Sequence, residues 1–308
     1  MKYSPIALFV YCRPFHTKMT LNALASNYEA SESILYIFSD GPPIGSNESL
    51  NNQIAETRKI INAENRFKKV IVTERKINIG LAHSIIEGVS ILLNENDSII
   101  VLEDDIVTSI HFLNFMNESL NLYKNENKVA SICGYWYPIS DNLPSTFFLK
   151  TESSWGWATW ARAWKHFEPD GLKTYKQIRK QKLQKDFDIE GTVAYTKMLK
   201  QQINGENNSW AIRWYASILL KNMYSLFPDR SLVKNIGFDG SGTHCDITEI
   251  YEASVSTDQI SLQKIEIIES ITARKALKTF FEKQNRLRKK QIINNAFSVK
   301  FWAKKIKF

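Results

Sequence analysis

The first half of the chain alternates short runs of branched and aromatic side chains with stretches whose apolar residues recur every three to four positions. Ile6 to Tyr11, Ile34 to Phe38, Val70 to Thr73, Ile99 to Leu102 and Val129 to Cys133 are apolar runs of strand length. Between the third and fourth, Ala82, Ile85, Ile86, Val89, Leu92 and Leu93 share one helical face, introduced by Asn78 and Gly80. Ser109 to Tyr123 carries a similar pattern. Strands alternating with helices at this spacing predict βα units, so the expected class is α/β with a mostly parallel sheet. Ligands of such open sheets gather at the carboxyl ends of the strands, which says where chemistry belongs.

The fourth strand end is the most distinctive. In SIIVLEDDIVT, residues 98–108, an apolar run leads straight into Glu103, Asp104 and Asp105. Adjacent like charges at the end of a buried strand each cost free energy unless a cation or a set of donors neutralises them. Mg²⁺ or Mn²⁺ meets that need, because both prefer oxygen ligands and Mg²⁺ takes one or two protein carboxylates beside water and phosphate oxygens. A solvated acidic turn would look the same in sequence.

The other strand ends carry matching groups. Arg13 stands just ahead of a helix expected to start near Thr17 or Lys18, a place where a cation is opposed by the helix dipole unless an anion lies between them. A phosphate is the expected anion; an Arg turned to solvent is the structural alternative. Asp40 ends the second strand before Gly41 and Pro42, as an acceptor for a base or ribose or as a plain turn former. His83 opens the third helix, where it would touch a base, cap the helix or pack. A nucleoside diphosphate bound with a metal would use all of these positions.

From about Thr151 the texture changes. Trp155, Trp157, Trp160 and Trp164 are four of eight tryptophans. The last three fall at helical spacing and are assigned to the core, whereas Trp155 and Trp210 are kept as contacts for a sugar ring, whose apolar face suits an indole. The loop NIGFDGSGTHC has three glycines, Gly237, Gly240 and Gly242, so its backbone can approach a ligand closely. Asp239 and His244 are its chemical groups; His244 would ligate a metal, donate to a phosphate, or serve the loop's own structure.

Composition adds compartment and tail. Cys12, Cys133 and Cys245 are widely spaced with no CxxC pair, which excludes a disulfide framework or a zinc cluster and points to a reducing cytoplasm. Pro5 to Cys12 is too short to cross a bilayer and reads as a buried strand. The formal charge is +8, yet residues 271–308 hold twelve Lys or Arg against Glu282 alone, a local +11 that leaves −3 for residues 1–270. That basic segment, with Phe280, Phe281, Leu287 and Trp302 interleaved, is expected to lie on an anionic membrane surface or to be a solvated helix. No base-reading motif supports a nucleic-acid partner.

The segments RPFHTKMTLNAL, FSDGP, NIGLAHSIIEGV, IIVLEDDIVTSIHFLNFM and SWGWATWARAW together resemble GT-A-fold glycosyltransferases. The likeness covers about Ile6 to Cys245. It is nearest to the branch that includes animal N-acetylglucosaminyltransferase I and to bacterial sugar transferases of surface-polysaccharide pathways. The resemblance implies a Rossmann-like GT-A sheet flanked by helices with a helical C-terminal extension, a nucleotide-sugar donor (a UDP-sugar is expected), Mn²⁺ or Mg²⁺, and a glycan or glycolipid acceptor. It implies residues 1–150 as the nucleotide-sugar-binding half, 151–250 as the acceptor and catalytic half, and 251–308 as the basic helical tail. On matching positions, Asp105 would ligate the metal, Asp104 would contact ribose, and Glu103 would support the site. Asp40 and His83 would hold the base, Arg13 the diphosphate and Trp210 the donor sugar.

One departure bears on mechanism. The family branch places a general-base aspartate just after the tryptophan matching Trp210, but Ala211 and Ile212 stand here. Asp239, Glu206 or Glu152 would replace it, with Asp239 the first choice, unless the transfer is retaining and needs no such base. The expected function is metal-dependent sugar transfer in surface-polysaccharide or glycolipid synthesis, at the inner face of the plasma membrane. A sugar nucleotidyltransferase is the alternative, although CRPFHTK lacks the glycines that such an enzyme uses around a triphosphate, and a non-catalytic carbohydrate binder is a third.

Overall fold

In the computed structural model, which describes residues 3–240 and 250–305 with side chains as far as residue 290, the expected strands lie side by side. β1 (Ile6–Val10), β2 (Ile34–Ser39), β3 (Lys69–Glu74) and β4 (Ser98–Glu103) are parallel. They are joined in turn by α1 (Pro14–Ala25), α2 (Glu48–Asn62) and α3 (Leu81–Glu95). Then follow β5 (Ile106–Thr108), α4 (Phe112–Leu122), β6 (Val129–Cys133), β7 (Thr146–Leu149) and β8 (Trp157–Trp160). The later part comprises α5 (Ala161–Trp164), α6 (Gly171–Lys180), α7 (Gln184–Phe187), α8 (Tyr195–Ile203), α9 (Trp210–Leu220), β9 (Tyr224–Pro228), β10 (Val233–Asn235) and α10 (Ile271–Lys305).

Eight strands form one sheet in the order β3-β2-β1-β4-β8-β6-β9-β7. β8 is antiparallel to β4 and β6, and β7 to β9, so these two strands run against the other six. The sheet is thus mostly parallel and sandwiched between helices, as the sequence predicts. Alternation along β1 sends Ile6, Leu8 and Val10 to the side covered by α1 and α4, and Ala7 and Phe9 to the side covered by α3 and α9. The chain steps from β1 through β2 to β3 in one direction, then crosses back to place β4 on the other side of β1. The crevice between the carboxyl ends of β1 and β4 is therefore a topological switch point.

Three expectations need correction. Trp157 and Trp160 are not helical: they lie in β8, which pairs on both sides, and a three-residue step along a strand puts them on opposite faces of the sheet. The acidic triplet does not lead directly into a helix, because β5 intervenes and pairs with β10 in a two-stranded sheet of its own. And α1 begins at Pro14, not near Thr17, since proline at the first helical position has its φ already set and loses no needed N–H.

The start of α10 belongs to the core. Ala273, Leu277, Phe280 and Phe281 pack with Trp136, Phe147 and Phe227, and Arg274 pairs with Glu190 at 3.0 Å. From Lys283 to Lys290 every side chain except Gln284 is exposed. A chain ending at residue 270 is expected to lose on the order of 5 kcal/mol of unfolding free energy, at about 1.5–3 kcal/mol for each large apolar side chain no longer buried. Urea unfolding of the two proteins checks this, and a loss within about 1 kcal/mol would refute the assignment of these turns to the core.

Candidate active site

β1 and β4 are neighbours with Phe9 opposite Glu103, so the residues leaving one strand face those leaving the other. Arg13, the N-cap residue of α1, donates through Nη2 to Asp104 Oδ1 and to Asp105 Oδ2, the latter at 2.9 Å. Both aspartates are buried. The anion that Arg13 meets here is this carboxylate pair. Thr20, two turns along α1, donates its hydroxyl to the Asp104 carbonyl at 2.8 Å and fixes the helix against the acidic turn. Asp105 Oδ1 is sealed from solvent and has no hydrogen-bond partner among the described residues.

The pairing of β5 with β10 brings a second loop over the carboxylates. Ile236 donates its N–H to the Asp105 carbonyl at 2.9 Å. A Cβ on Gly237 would stand 2.2 Å from Asp105 Oδ2 and 2.9 Å from Arg13 Nη1, so the space admits only glycine while that pair is in place. Two residues on, Asp239 Oδ2 lies 3.1 Å from Nε2 of the buried His16 on α1. Phe238 turns the other way, packing edge-on to Trp155 at 5.4 Å and tilted against Tyr251 at 5.9 Å. One short loop thus touches the acidic cluster and the space beyond it.

That space is a cavity of about 540 Å³. Glu152, Trp155, Tyr135, Tyr195, Tyr251 and the Phe281 of α10 are among its walls. Val101 pairs with Trp157, and because β8 is antiparallel to β4 the residues just before Trp157 pass beyond the carboxyl end of β4, beside Glu103.

The charges are only partly balanced. Burial pushes Glu103 up to about 8, with Asp105 and Asp104 adding to the rise and Arg13 and a hydrogen bond from Trp210 opposing it. Burial also pushes Asp104 up to about 6, against the pull of Arg13. For Arg13 itself burial acts downward, but the two carboxylates outweigh it and the net shift is upward. Glu152 is held well above the ordinary carboxylate range by burial and then by the charge of Glu103.

Arg13, Glu103, Asp104, Asp105 and Asp239 therefore come together at the switch point. Trp210 reaches this group through Glu103; its ring is 4% exposed and stacked on Trp157 at 5.2 Å. Asp40 and His83 form a second group at the end of β2. Asp40 accepts from the N–H groups of Gly41, Ile79 and Gly80 at 2.9, 3.0 and 2.9 Å, clamping the loop before α3. Exposed His83 lies one turn on, with Nδ1 3.2 Å from the Ile79 carbonyl. Tyr11, next to the first group, hydrogen-bonds Asn78 and feels the charge of Asp40, which places the two groups side by side. Glu206 sits in an exposed turn with Asn204. His244 lies outside the described residues.

Sequence reasoning missed His16. Its signal was present, since Arg13, His16 and Thr20 recur at helical spacing on a helix whose partners at those positions should be apolar.

No family model and no curated protein matches this sequence. Among solved structures, the chain is similar to a cytidylyltransferase from Leptospira borgpetersenii serovar Hardjo-bovis, at 13% identity and a TM-score of 0.33, over 54% of this chain and 63% of that one. It is similar to S. aureus TarS at 11% identity and a TM-score of 0.37, over 74% of this chain and 36% of that one. A UDP-glucose pyrophosphorylase solved with UDP-glucose matches at 11% identity and a TM-score of 0.37, over 73% of this chain and 90% of that one. The matched region is less than two thirds of the cytidylyltransferase and TarS chains.

The position of Glu103 makes stability depend on pH. Its folded pKa is raised above the unfolded value, so the folded state binds the extra proton between about pH 4.5 and 8 and stability falls as pH rises through that window. Glu103→Gln removes this titration. Relative to the variant, the wild type is expected to lose at least about 1 kcal/mol between pH 5 and 8. Parallel thermal melts across that range would show it, and parallel slopes would place Glu103 among ordinary carboxylates.

Proposed function

We propose that the protein is a glycosyltransferase that moves a sugar from a nucleotide-sugar donor, expected to be a UDP-sugar, to a hydroxyl of a glycan or glycolipid. The observation that carries this reading is the Arg13–Asp104–Asp105 cluster under Gly237 at the topological switch point of the sheet. It combines a guanidinium, a pair of carboxylates and a close-fitting backbone where open α/β sheets take their ligands.

The donor set suits Mg²⁺ or Mn²⁺. Asp105 offers a carboxylate oxygen without a donor, and Mg²⁺ needs only one or two protein carboxylates when phosphates complete its shell. Among the described residues no group of three or more His, Cys, Asp or Glu side chains forms a metal cage. Asp105 would hold the ion, with Asp104 beside it and His244 a further candidate; bound there, it would stabilise negative charge on the departing diphosphate.

The chain's own groups divide the remaining work. Arg13 sets the orientation of both aspartates and presents positive charge to the diphosphate. The Asp40 clamp shapes the loop on which a base would rest, next to His83. Trp210 steadies Glu103 near the donor sugar, and Trp155 offers its ring to a sugar in the cavity. Of the two carboxylates able to receive a proton, Asp239 is engaged by His16 on the diphosphate side, whereas Glu152 faces the cavity.

A thermal-shift screen against nucleoside diphosphates and nucleotide sugars, with and without Mn²⁺, tests the site. One base family is expected to stabilise the protein by about 2.7 kcal/mol at 100 times its Kd, and more strongly with metal. Asp105→Asn should lower sugar transfer by on the order of 10²-fold or more while leaving the melting temperature without ligand near wild type. Pyrophosphate release from a nucleoside triphosphate and sugar phosphate would instead mark a nucleotidyltransferase, and the absence of any nucleotide response would refute both readings.

The exposed Lys283, Arg286, Arg288, Lys289 and Lys290 give α10 a basic surface suited to the cytoplasmic face of an anionic membrane, where a lipid-carried acceptor would be found. No described helix is long and apolar enough to cross a membrane. Full-length protein is expected to float with vesicles containing phosphatidylglycerol and to remain in the pellet fraction with neutral phosphatidylcholine vesicles. Flotation unaffected by ending the chain at residue 282 would assign membrane contact elsewhere.

A further inference from the structure

Glu152 is a carboxyl without an evident structural task. It lines the aromatic cavity, its Oε1 is sealed from solvent, and that oxygen meets no hydrogen-bond donor among the described residues. A carboxyl buried without a donor costs stability, and a residue kept for packing alone would be replaced at a gain by one with no charge. Among the described residues the titratable groups that interact with it are Glu103 from β4, the Cys133 thiol from β6 and the Tyr195 phenol from α8, none of them a cation.

The surroundings describe a ligand. Trp155, Tyr135, Tyr195 and Tyr251 give the cavity flat apolar walls with polar edges, and Ser154 and Gln201 add hydrogen-bonding groups. A volume of about 540 Å³ holds one or two sugar rings. Glu103 sits between this cavity and the Arg13–Asp105 edge, since its charge is felt by Glu152 on one side and by Asp104 on the other.

We propose that the cavity receives a neutral acceptor sugar and that Glu152 takes the proton from its attacking hydroxyl. This rests on the glycosyltransferase reading above. In the step, the acceptor oxygen bonds to the anomeric carbon of the donor as the carbon–oxygen bond to the diphosphate breaks. The electron pair of that bond leaves with the nucleoside diphosphate, and the hydroxyl proton goes to the Glu152 carboxylate. Attack in line with the departing diphosphate would invert the anomeric centre. Burial and the charge of Glu103 both raise the proton affinity of Glu152, so it acts only once ionised and transfer is expected to rise with pH. Asp239 is then a positioning residue that holds His16.

The test uses the full chain with Mn²⁺, a panel of UDP-hexoses and UDP-N-acetylhexosamines, and p-nitrophenyl glycosides as acceptor probes. Binding of UDP is read by thermal shift, occupation of the cavity by quenching of tryptophan fluorescence, and transfer by product analysis. Glu152→Gln is expected to keep the UDP-induced shift and the donor KM while kcat for transfer falls about 10²- to 10⁴-fold. Glu152→Ala should regain part of that rate in high formate. If UDP binds and Glu152→Gln transfers within a few-fold of wild type, or no glycoside in the panel quenches or is glycosylated, the inference is overturned and the nucleotide site stands. If the wild type responds to no nucleotide, the functional reading fails and the inference with it.

Discussion

The structure depends on how one guanidinium is shared among buried carboxylates. Removing a carboxylate from water costs several kcal/mol, and a single pairing returns that only when the geometry and the remaining hydrogen bonds are good. Arg13 serves Asp104 and Asp105 through one nitrogen, while Glu103 and Glu152 lie close by with no ion pair of their own among the described residues. The protein answers part of the deficit with protons, which is why burial drives Glu103 to about 8 and Asp104 to about 6. A fold selected for stability alone would have removed one or two of these acids. Their presence at the crevice where the strand order reverses is the physical ground for proposing a ligand there.

Getting the cluster together requires agreement between distant parts of the chain. Parallel pairing of Phe9 with Glu103 aligns the two strand exits, and Thr20 locks α1 to the Asp104 carbonyl. The loop from β10 then closes over the result, with Gly237 close enough to the Asp105–Arg13 pair that any side chain would push it apart. Through Phe238 the same loop reaches Trp155, so the acidic cluster and the cavity wall are joined by direct packing.

The parts of this arrangement that are local in sequence were legible there. Buried parallel strands show as continuous apolar runs, and α3 shows its period, so β1 to β4, β6 and the acidic turn could all be placed. Trp157 and Trp160 misled because a three-residue step fits a helix face and, equally, opposite sides of a strand; only pairing with β4 and β6 decides between them. β5 and β10 are three residues each and exist through their mutual pairing, which no local pattern announces. The core turns of α10 carry Ala273, Leu277, Phe280 and Phe281 at helical spacing, but the surrounding Lys and Arg obscured them. Glu152 was visible as an acid beside the tryptophans, yet its proximity to Glu103 arises from strand register, so sequence could offer it only as one of three substitutes.

The placement of α10 joins the two ends of the proposed activity. Phe281 forms part of the cavity wall, and the exposed cations run from Lys283 to Lys290 on the same helix. The nine steps from Phe281 to Lys290 rise about 13 Å along the helix, so the cations begin within two turns of the cavity wall. An anionic surface that seats those cations would therefore hold the cavity close to the lipid headgroups. An acceptor sugar attached to a lipid would then reach Glu152 without leaving the membrane, whereas a soluble oligosaccharide would gain nothing from the helix. Because Leu277 and Phe280 are buried in the core, the charged turns that follow extend directly from the part of the helix that lines the aromatic cavity.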